Sequence, residues 1–498
     1  MGVRGHRRAL TRAAALTLSG ALLLAGCTEA DDEPSQPSAA PAPPTPSAPS
    51  TPTTPSPGAT GHDLALSQPV EDSVYPDMGD PGVDALHYDL TLDWDPRART
   101  LTGREVLTFR AADTAETVRL DLAPDLEVEQ VHAGGAKVAH EHTGKDLVVS
   151  LPVERDERYR LRIDYAGTPR PTEAPSTRHD MAALGWHTTA EGETWTMQEP
   201  YGAHTWYAVN DQPSDKALYD ITVTVPSPWV GVANGELTSR TEADGLTRTT
   251  WHLAEPASSY LVTLATGELE MTEATSASGV PLTYWTPADE PRWLRRVQRT
   301  GAALDWLEER LGPYPFDTAG VVVVDSESGM ETQTMITLGD TAYTTSMPVL
   351  VHELAHHWYG NQVSPADWRD VWMNEGMAMY LQGVWEAEAA GMPVARLLDT
   401  WAVWEPQMRA AAGPPAAYDP QAFGESNIYY GPALMWQEVR ELVGDEPFWE
   451  MVRAWPAERD NAAATREDYR AWLVERLGPE VDPLLDAWLL GEDSPLLD

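Results

Sequence analysis

The sequence predicts a chain in two folded parts, a β-rich N-terminal domain and then a mixed domain in which strands give way to helices. Three observations predict it. Apolar and polar residues alternate with period two over much of residues 62–269. After about Glu270 the spacing of apolar residues becomes helical. A buried-strand run, AGVVVVD at Ala319–Asp325, then precedes a nearly continuous helical remainder beyond Met347. With 498 residues, 42% of them hydrophobic, the chain is long enough for two or three ordinary domains and apolar enough to bury a core. Its formal net charge of -43 argues against a nucleic-acid partner, because one polyanion repels another.

The first residues are expected to be a processing signal. Arg4, Arg7, Arg8 and Arg12 form a positive stretch, and the apolar run Ala13–Ala25 is too short to span a bilayer as a helix. Leu24-Ala25-Gly26-Cys27 resembles a bacterial lipobox, whose cysteine is lipidated and becomes the new N-terminus. Cys27 is the only cysteine, so no thiol remains for catalysis or metal binding and no intramolecular disulfide forms. Residues 1–26 are therefore read as a lipoprotein signal peptide. Residues 27–61, with EPSQPSAAPAPPTPSAPSTPTTPSPG in their middle, are read as an extended, solvated linker. A lipid-anchored, extracytoplasmic location follows as an expectation.

Within residues 62–269, HYDLTLDW (His87–Trp94) and LYDITVTVP (Leu218–Pro226) alternate as half-buried strands do, and Asp, Gly and Pro punctuate the gaps. No helix is expected there, and a single sheet-sandwich unit is. Residues 270–498 open with RWLRRVQRTGAALDWLEERLG (Arg292–Gly312), apolar at helical spacing and stopped by a glycine. LMWQEVRELVG and DYRAWLVERLG are later helical segments.

The chemistry centres on VHELAHHWYGNQ (Val351–Gln362). Ser346 is a candidate cap, Pro348 suits a first turn, and Gly360-Asn361 supplies a stop, giving a helix of about three and a half turns. Residues four apart on a helix are offset by about 40° and residues five apart by about 140°. His352 and His356 therefore share a face, His357 leaves it, and Glu353 lies beside His352. That is the H-E-x-x-H arrangement, two metal-binding imidazoles with a carboxylate placed as general base. Catalytic zinc usually keeps three protein ligands. The helical segment opened by DVWMNEGMAMY (Asp370–Tyr380) offers Glu375 as the third, because a helix hairpin brings it back to the histidine face.

HELAHHW followed by WMNEG resembles the gluzincin aminopeptidases of the aminopeptidase N type, here in a short, two-domain bacterial lipoprotein form. SGMETQ (Ser328–Gln333) is similar to that family's G-x-M-E-N strand. QEPYGAHTWYAVNDQPSDKA (Gln198–Ala217) resembles its N-domain segment, and IYYGPALMWQEVR (Ile428–Arg440) its tyrosine-bearing helix. The resemblance implies an antiparallel β-saddle or sandwich domain joined to a thermolysin-like, mainly helical catalytic domain, acting as a zinc aminopeptidase on peptides.

The resemblance also implies roles. His352, His356 and Glu375 bind a single Zn2+, and Glu353 is the base. Glu331 and Glu199 hold the substrate's α-amine, Gly329 and Met330 of the same strand also bind substrate, and Tyr429 donates to the oxyanion. Tyr430 is the alternative to Tyr429, and register favours Tyr429. This sequence departs from the family at Ser328, Thr332, Met197, Gly431 and Pro432. His357, His204, Trp372 and Asn374 are read as structural, and the tryptophans as core packing. A zinc endopeptidase and a non-catalytic peptide-binding lipoprotein are the competing readings; the first would ignore N-terminal blocking, and the second would be expected to lose Glu353 or a zinc ligand.

Overall fold

The computed structural model describes residues 61–497. The expected signal segment, Cys27 and all but the last residue of the expected linker lie outside the described residues.

The alternating segments become long strands. Val83–Asp95 and Thr100–Ala111 form a hairpin within an eight-stranded sheet that also holds Arg158–Gly167, Lys216–Pro226 and Leu246–Ser258. Along Lys216–Pro226, Ile221, Val223 and Val225 are buried while the residues between them are half-exposed, the pattern the sequence showed. Most pairs are antiparallel. The exception is central: Val83–Asp95 runs parallel to Lys216–Pro226, with Leu90 opposite Ile221. A five-stranded sheet containing Ala183–Thr188 and Thr194–Met197, and a smaller three-stranded one, complete the domain. Among the described residues before Leu269 the only helical segments are short 3-10 turns.

The second domain begins with a mixed five-stranded sheet in the order Leu269–Thr275, Pro281–Pro287, Ala319–Val324, Ile336–Gly339, Gly329–Met330. The single helical segment expected at Arg292–Gly312 is two helices, α1 (Pro291–Val297) and α2 (Thr300–Leu311), broken at Gln298-Arg299. Gly312 ends α2 with φ +94°, a backbone state open to glycine and strained for other residues. Helices α3 (Met347–His356) and α4 (Trp372–Ala389) carry the motif residues. Then follow α5 (Val394–Ala402), α6 (Glu405–Ala412), α7 (Asn427–Val443), α8 (Asp445–Glu458), α9 (Arg466–Leu477) and α10 (Val481–Leu490). No helix among the described residues is long and apolar enough to cross a membrane.

Among the described residues, two large apolar clusters make up most of the core. One occupies the β-rich domain and continues through Met330, Trp368 and Phe423 into the helical one; the other is built on α2, α3, α4 and α7. Trp186, Trp206, Trp372 and Trp436 are fully buried, as core tryptophans are. Polar bonds also cross between the domains. Lys216 Nζ donates to the carbonyls of Asn361 (2.8 Å) and Gln362 (3.0 Å), and Asn234 Nδ2 donates to Gln333 O (2.6 Å).

Candidate active site

Helix α3 is shorter than its sequence pattern, ending at His356 rather than near Gly360. Ser346 occupies the cap position, although its side chain makes no cap hydrogen bond, and Pro348 sits in the first turn. Beyond His356 the chain turns sharply. Gly360 takes φ +136°, strained for other residues, and a Cβ there would lie 3.3 Å from Asn374 Nδ2 and 3.4 Å from His356 Nδ1, so glycine suits the tight turn against α4. The early end has a use: His356 Nδ1 hydrogen-bonds Tyr359 O at 3.1 Å, which keeps its Nε2 free to face inward.

His352, His356 and Glu375 come together as the spacing predicts. Glu375 Oε2 lies 3.2 Å from His352 Nε2 and 3.3 Å from His356 Nε2, and the two nitrogens are 3.1 Å apart. Ligands about 2.1 Å from a tetrahedral zinc ion stand about 3.4 Å from one another, close to these separations. All three side chains are buried. Two imidazole nitrogens and one carboxylate oxygen suit zinc in hardness and number.

Around this triangle the site is crowded with negative charge. Glu199, Glu331, Glu353 and Glu375 are all buried. Burial, and then the Glu331 charge, push Glu353 up to about 8. Burial raises Glu331 as well, and Glu199 is raised by burial and by Glu331. Glu375 goes the other way: against the cost of burial, the His356 charge and the bonds to both histidines hold it below the usual carboxylate range. His356, despite burial, is lifted to about 10 by Glu331 and Glu375. A cation between His352, His356 and Glu375 would compensate the negative charge gathered there. A divalent ion there also favours the ionised form of Glu353 that a base needs.

Glu331 follows the short strand Gly329–Met330, and Asn361 Nδ2 ties its backbone carbonyl to the loop after α3 at 2.8 Å. Glu331 Oε1 and Glu199 Oε1 are buried with no hydrogen-bond partner among the described residues. Gly329 lies over the base: a Cβ there would be 3.3 Å from Glu353 Oε1. Met330 is buried, its sulfur accepting from Gln198 N–H at 3.4 Å. Tyr429 stacks on His352 with ring centroids 6.0 Å apart, whereas Tyr430 packs edge-on against Trp401. Tyr429 is therefore the tyrosine that faces the cluster.

Thr332, Met197 and Pro432, three of the departures from the family pattern, each make a local contact. Thr332 turns its hydroxyl to Met335 O and to Thr337 Oγ1, away from the cleft. Met197 accepts from Ser326 Oγ, and Gln198 is spent on the Ser259 and Val262 carbonyls and on Trp206. Pro432 packs against Gly376, whose Cβ would lie 2.3 Å from Pro432 Cβ. His357 is buried and hydrogen-bonded to Tyr314 Oη at 2.7 Å, and His204 to Asp211 at 2.8 Å. One group at the site escaped the sequence reading. Arg178 reaches Tyr429 from the β-rich domain, and it sits in an aperiodic loop beside no motif.

Comparison with known proteins gives a consistent result. Residues 84–261 match the description Peptidase M1 N-terminal domain, and residues 296–488 match Peptidase family M1 domain. The puromycin-sensitive aminopeptidase of Caenorhabditis elegans is 30% identical over 190 residues, 34% of this chain and 20% of the relative. Human glutamyl aminopeptidase is 25% identical over 345 residues, 61% of this chain and 35% of the relative. The chain thus spans about a third or less of the length of these curated relatives. The crystal structure of an M1 zinc metallopeptidase from Deinococcus radiodurans superposes with a TM-score of 0.77 at 29% identity, covering 86% of this chain and 98% of that one. A mutant of a Deinococcus radiodurans M1 zinc metallopeptidase, bound to a Tyr-Ser-Ala substrate, gives a TM-score of 0.76 at 28% identity, covering 86% and 99%.

Proposed function

This chain belongs to peptidase family M1, carrying both of that family's domains, and on that premise we propose that it is a zinc-dependent aminopeptidase removing N-terminal residues from peptides with a free α-amine. The observation that carries the reading is the pair of unpartnered buried carboxylate oxygens, Glu199 Oε1 and Glu331 Oε1, beside the His352–His356–Glu375 triangle. Buried anions without a partner are costly, and a peptide's terminal ammonium is a cation that would satisfy them. An acetylated terminus brings no charge and leaves them uncompensated, which is how such a site selects an exopeptidase substrate over an internal peptide bond.

His352, His356 and Glu375 would hold the zinc ion, which when bound supplies Lewis acidity toward the scissile carbonyl and eases loss of a proton from water. Glu353 accepts that proton and returns it to the leaving amine. The absent side chain of Gly329 leaves room for substrate over the base. Glu199 and Glu331 fix the amine and so set which bond reaches Glu353. Tyr429 donates its hydroxyl to the oxygen on which negative charge develops.

Substituting Glu331→Gln and Glu199→Gln tests the amine anchor. A charge-assisted bond is worth about 1.5–3 kcal/mol, so KM for free-amine substrates should rise about 10- to 100-fold in each. No change in KM for free-amine substrates would remove the anchor and leave an endopeptidase as the better reading. We further propose that the mature chain is lipid-anchored through Cys27 at the outer face of the cytoplasmic membrane. The support is the lipobox-like Leu24–Cys27 after a basic and apolar leader. Incorporation of labelled palmitate that is lost in Cys27→Ser is the expected result, and equal labelling of both proteins would refute it.

A further inference from the structure

Pro175–Met181, a segment of the β-rich domain, crosses to the loop that leads into α7. Phe423 N–H donates to Pro175 O at 2.9 Å, Thr177 Oγ1 bonds Glu425, and Arg178 Nη1 donates to Gly424 O at 2.9 Å. The same Arg178 Nη1 donates to Tyr429 Oη at 3.3 Å. Two further donors hold the guanidinium in place: Nε and Nη2 bond the two oxygens of Asp180 at 3.1 and 2.5 Å. Asp180 Oδ2 in turn accepts from Ser328 Oγ at 3.4 Å. Ser328 is one of the positions at which this sequence departs from the family motif, and here it joins the cleft strand to this network.

A guanidinium has donors and no acceptor. Tyr429 Oη therefore accepts from Arg178, and the single phenolic hydrogen must point elsewhere. The Tyr429 ring stacks on His352, and burial and then the charge of Glu375 raise the pKa of its hydroxyl. We propose that Arg178 is a positioning residue for the reaction: held by Asp180 and, through it, by Ser328, it fixes the Tyr429 hydroxyl with its hydrogen turned toward the substrate carbonyl. The β-rich domain thereby sets the orientation of a group on α7. This rests on the aminopeptidase reading, in which Tyr429 is the oxyanion donor.

The test is a double-mutant cycle on the zinc-loaded protein, following an aminoacyl anilide that has a free amine and no carboxylate. Arg178→Gln should lower kcat about tenfold or more with KM within about twofold, while in the Tyr429→Phe background it should lower kcat by less than about twofold. Arg178→Lys, which retains a donor, should recover part of the loss, and it keeps the test open if the glutamine variant folds poorly. Equal losses in both backgrounds would overturn the proposal, because the arginine would then act independently of the tyrosine hydroxyl. A change confined to KM would overturn it too, in favour of direct substrate binding. Wild-type protein that cleaves no free-amine reporter would overturn the aminopeptidase reading itself, and the proposal with it.

Discussion

Glu353 occupies a buried wall beside three other carboxylates, and that setting defines what it can do. Burial and then the Glu331 charge push it up to about 8, and the charge of a metal ion held by the neighbouring triangle would draw it back toward the ionised form that a base needs. Glu353→Gln keeps the shape and removes the base. It should lower kcat by about 10²–10⁴-fold while zinc content, measured by elemental analysis, stays at that of the wild type. Undiminished turnover would show that another group moves the proton. For Tyr429→Phe the expected fall in kcat is about 10²–10³-fold, the cost of one oxyanion donor, and Tyr430→Phe should stay near wild type because that ring packs on Trp401. At this scale the sequence was informative wherever residue type and helical spacing act together. That His352, Glu353, His356 and Glu375 come together was legible. Arg178 was not, since its contact with Tyr429 joins residues 251 apart in the chain and nothing local marks it.

Helices α3, α4 and α7 carry the groups to which we assign the reaction, and their contacts set the distances between them. Gly376 follows the proposed ligand Glu375 on α4 and faces Pro432, three residues beyond Tyr429 on α7. Gly376→Ala would place a methyl 2.3 Å from Pro432 Cβ, which forces the helices apart. Overpacking of this kind typically costs about 1–3 kcal/mol, so both the denaturation midpoint and kcat should fall. A midpoint and rate equal to wild type would show that α4 and α7 absorb the methyl without shifting. The spacing of apolar residues revealed that these helices exist but not where α3 ends. Its last turn was read through to Gly360, whereas the chain leaves the helix at His356 so that the Tyr359 carbonyl can hold the imidazole. The early end comes with a turn that packs Gly360 against Asn374 of α4, a long-range contact that local propensity does not encode. The break between α1 and α2 and the parallel pairing at the centre of the large sheet are likewise set by packing between distant segments.

Across the whole molecule, the first described segment is stitched to the helical domain by a pair of aspartates. Asp72 accepts from the backbone N–H of Val74, Tyr75 and Trp368, while Asp367 accepts from Ser73. Burial, and then the nearby Asp367 charge, raise Asp72 to about 6 from the usual carboxylate value. A carboxyl with a raised folded pKa binds its proton more tightly when folded. Its contribution to stability is full below about pH 4 and is lost as pH rises through about 6. Asp72→Asn lacks that loss, so its stability relative to wild type should improve between pH 4 and 7, as read from denaturant unfolding of the zinc-loaded proteins. A difference independent of pH would refute the assignment. The order of the domains was plain from the change of hydrophobic period. The interface was not, because Lys216, Asn361, Asp72 and Arg178 each look like surface residues until both domains are in place.

The most direct test of the aminopeptidase reading is hydrolysis of paired aminoacyl-amide reporters, identical except for a free or acetylated amine, with and without a zinc chelator. Cleavage of the free-amine forms alone, abolished by the chelator and restored by zinc, is the predicted result. Equal cleavage of the acetylated forms, or cleavage indifferent to the chelator, would contradict it.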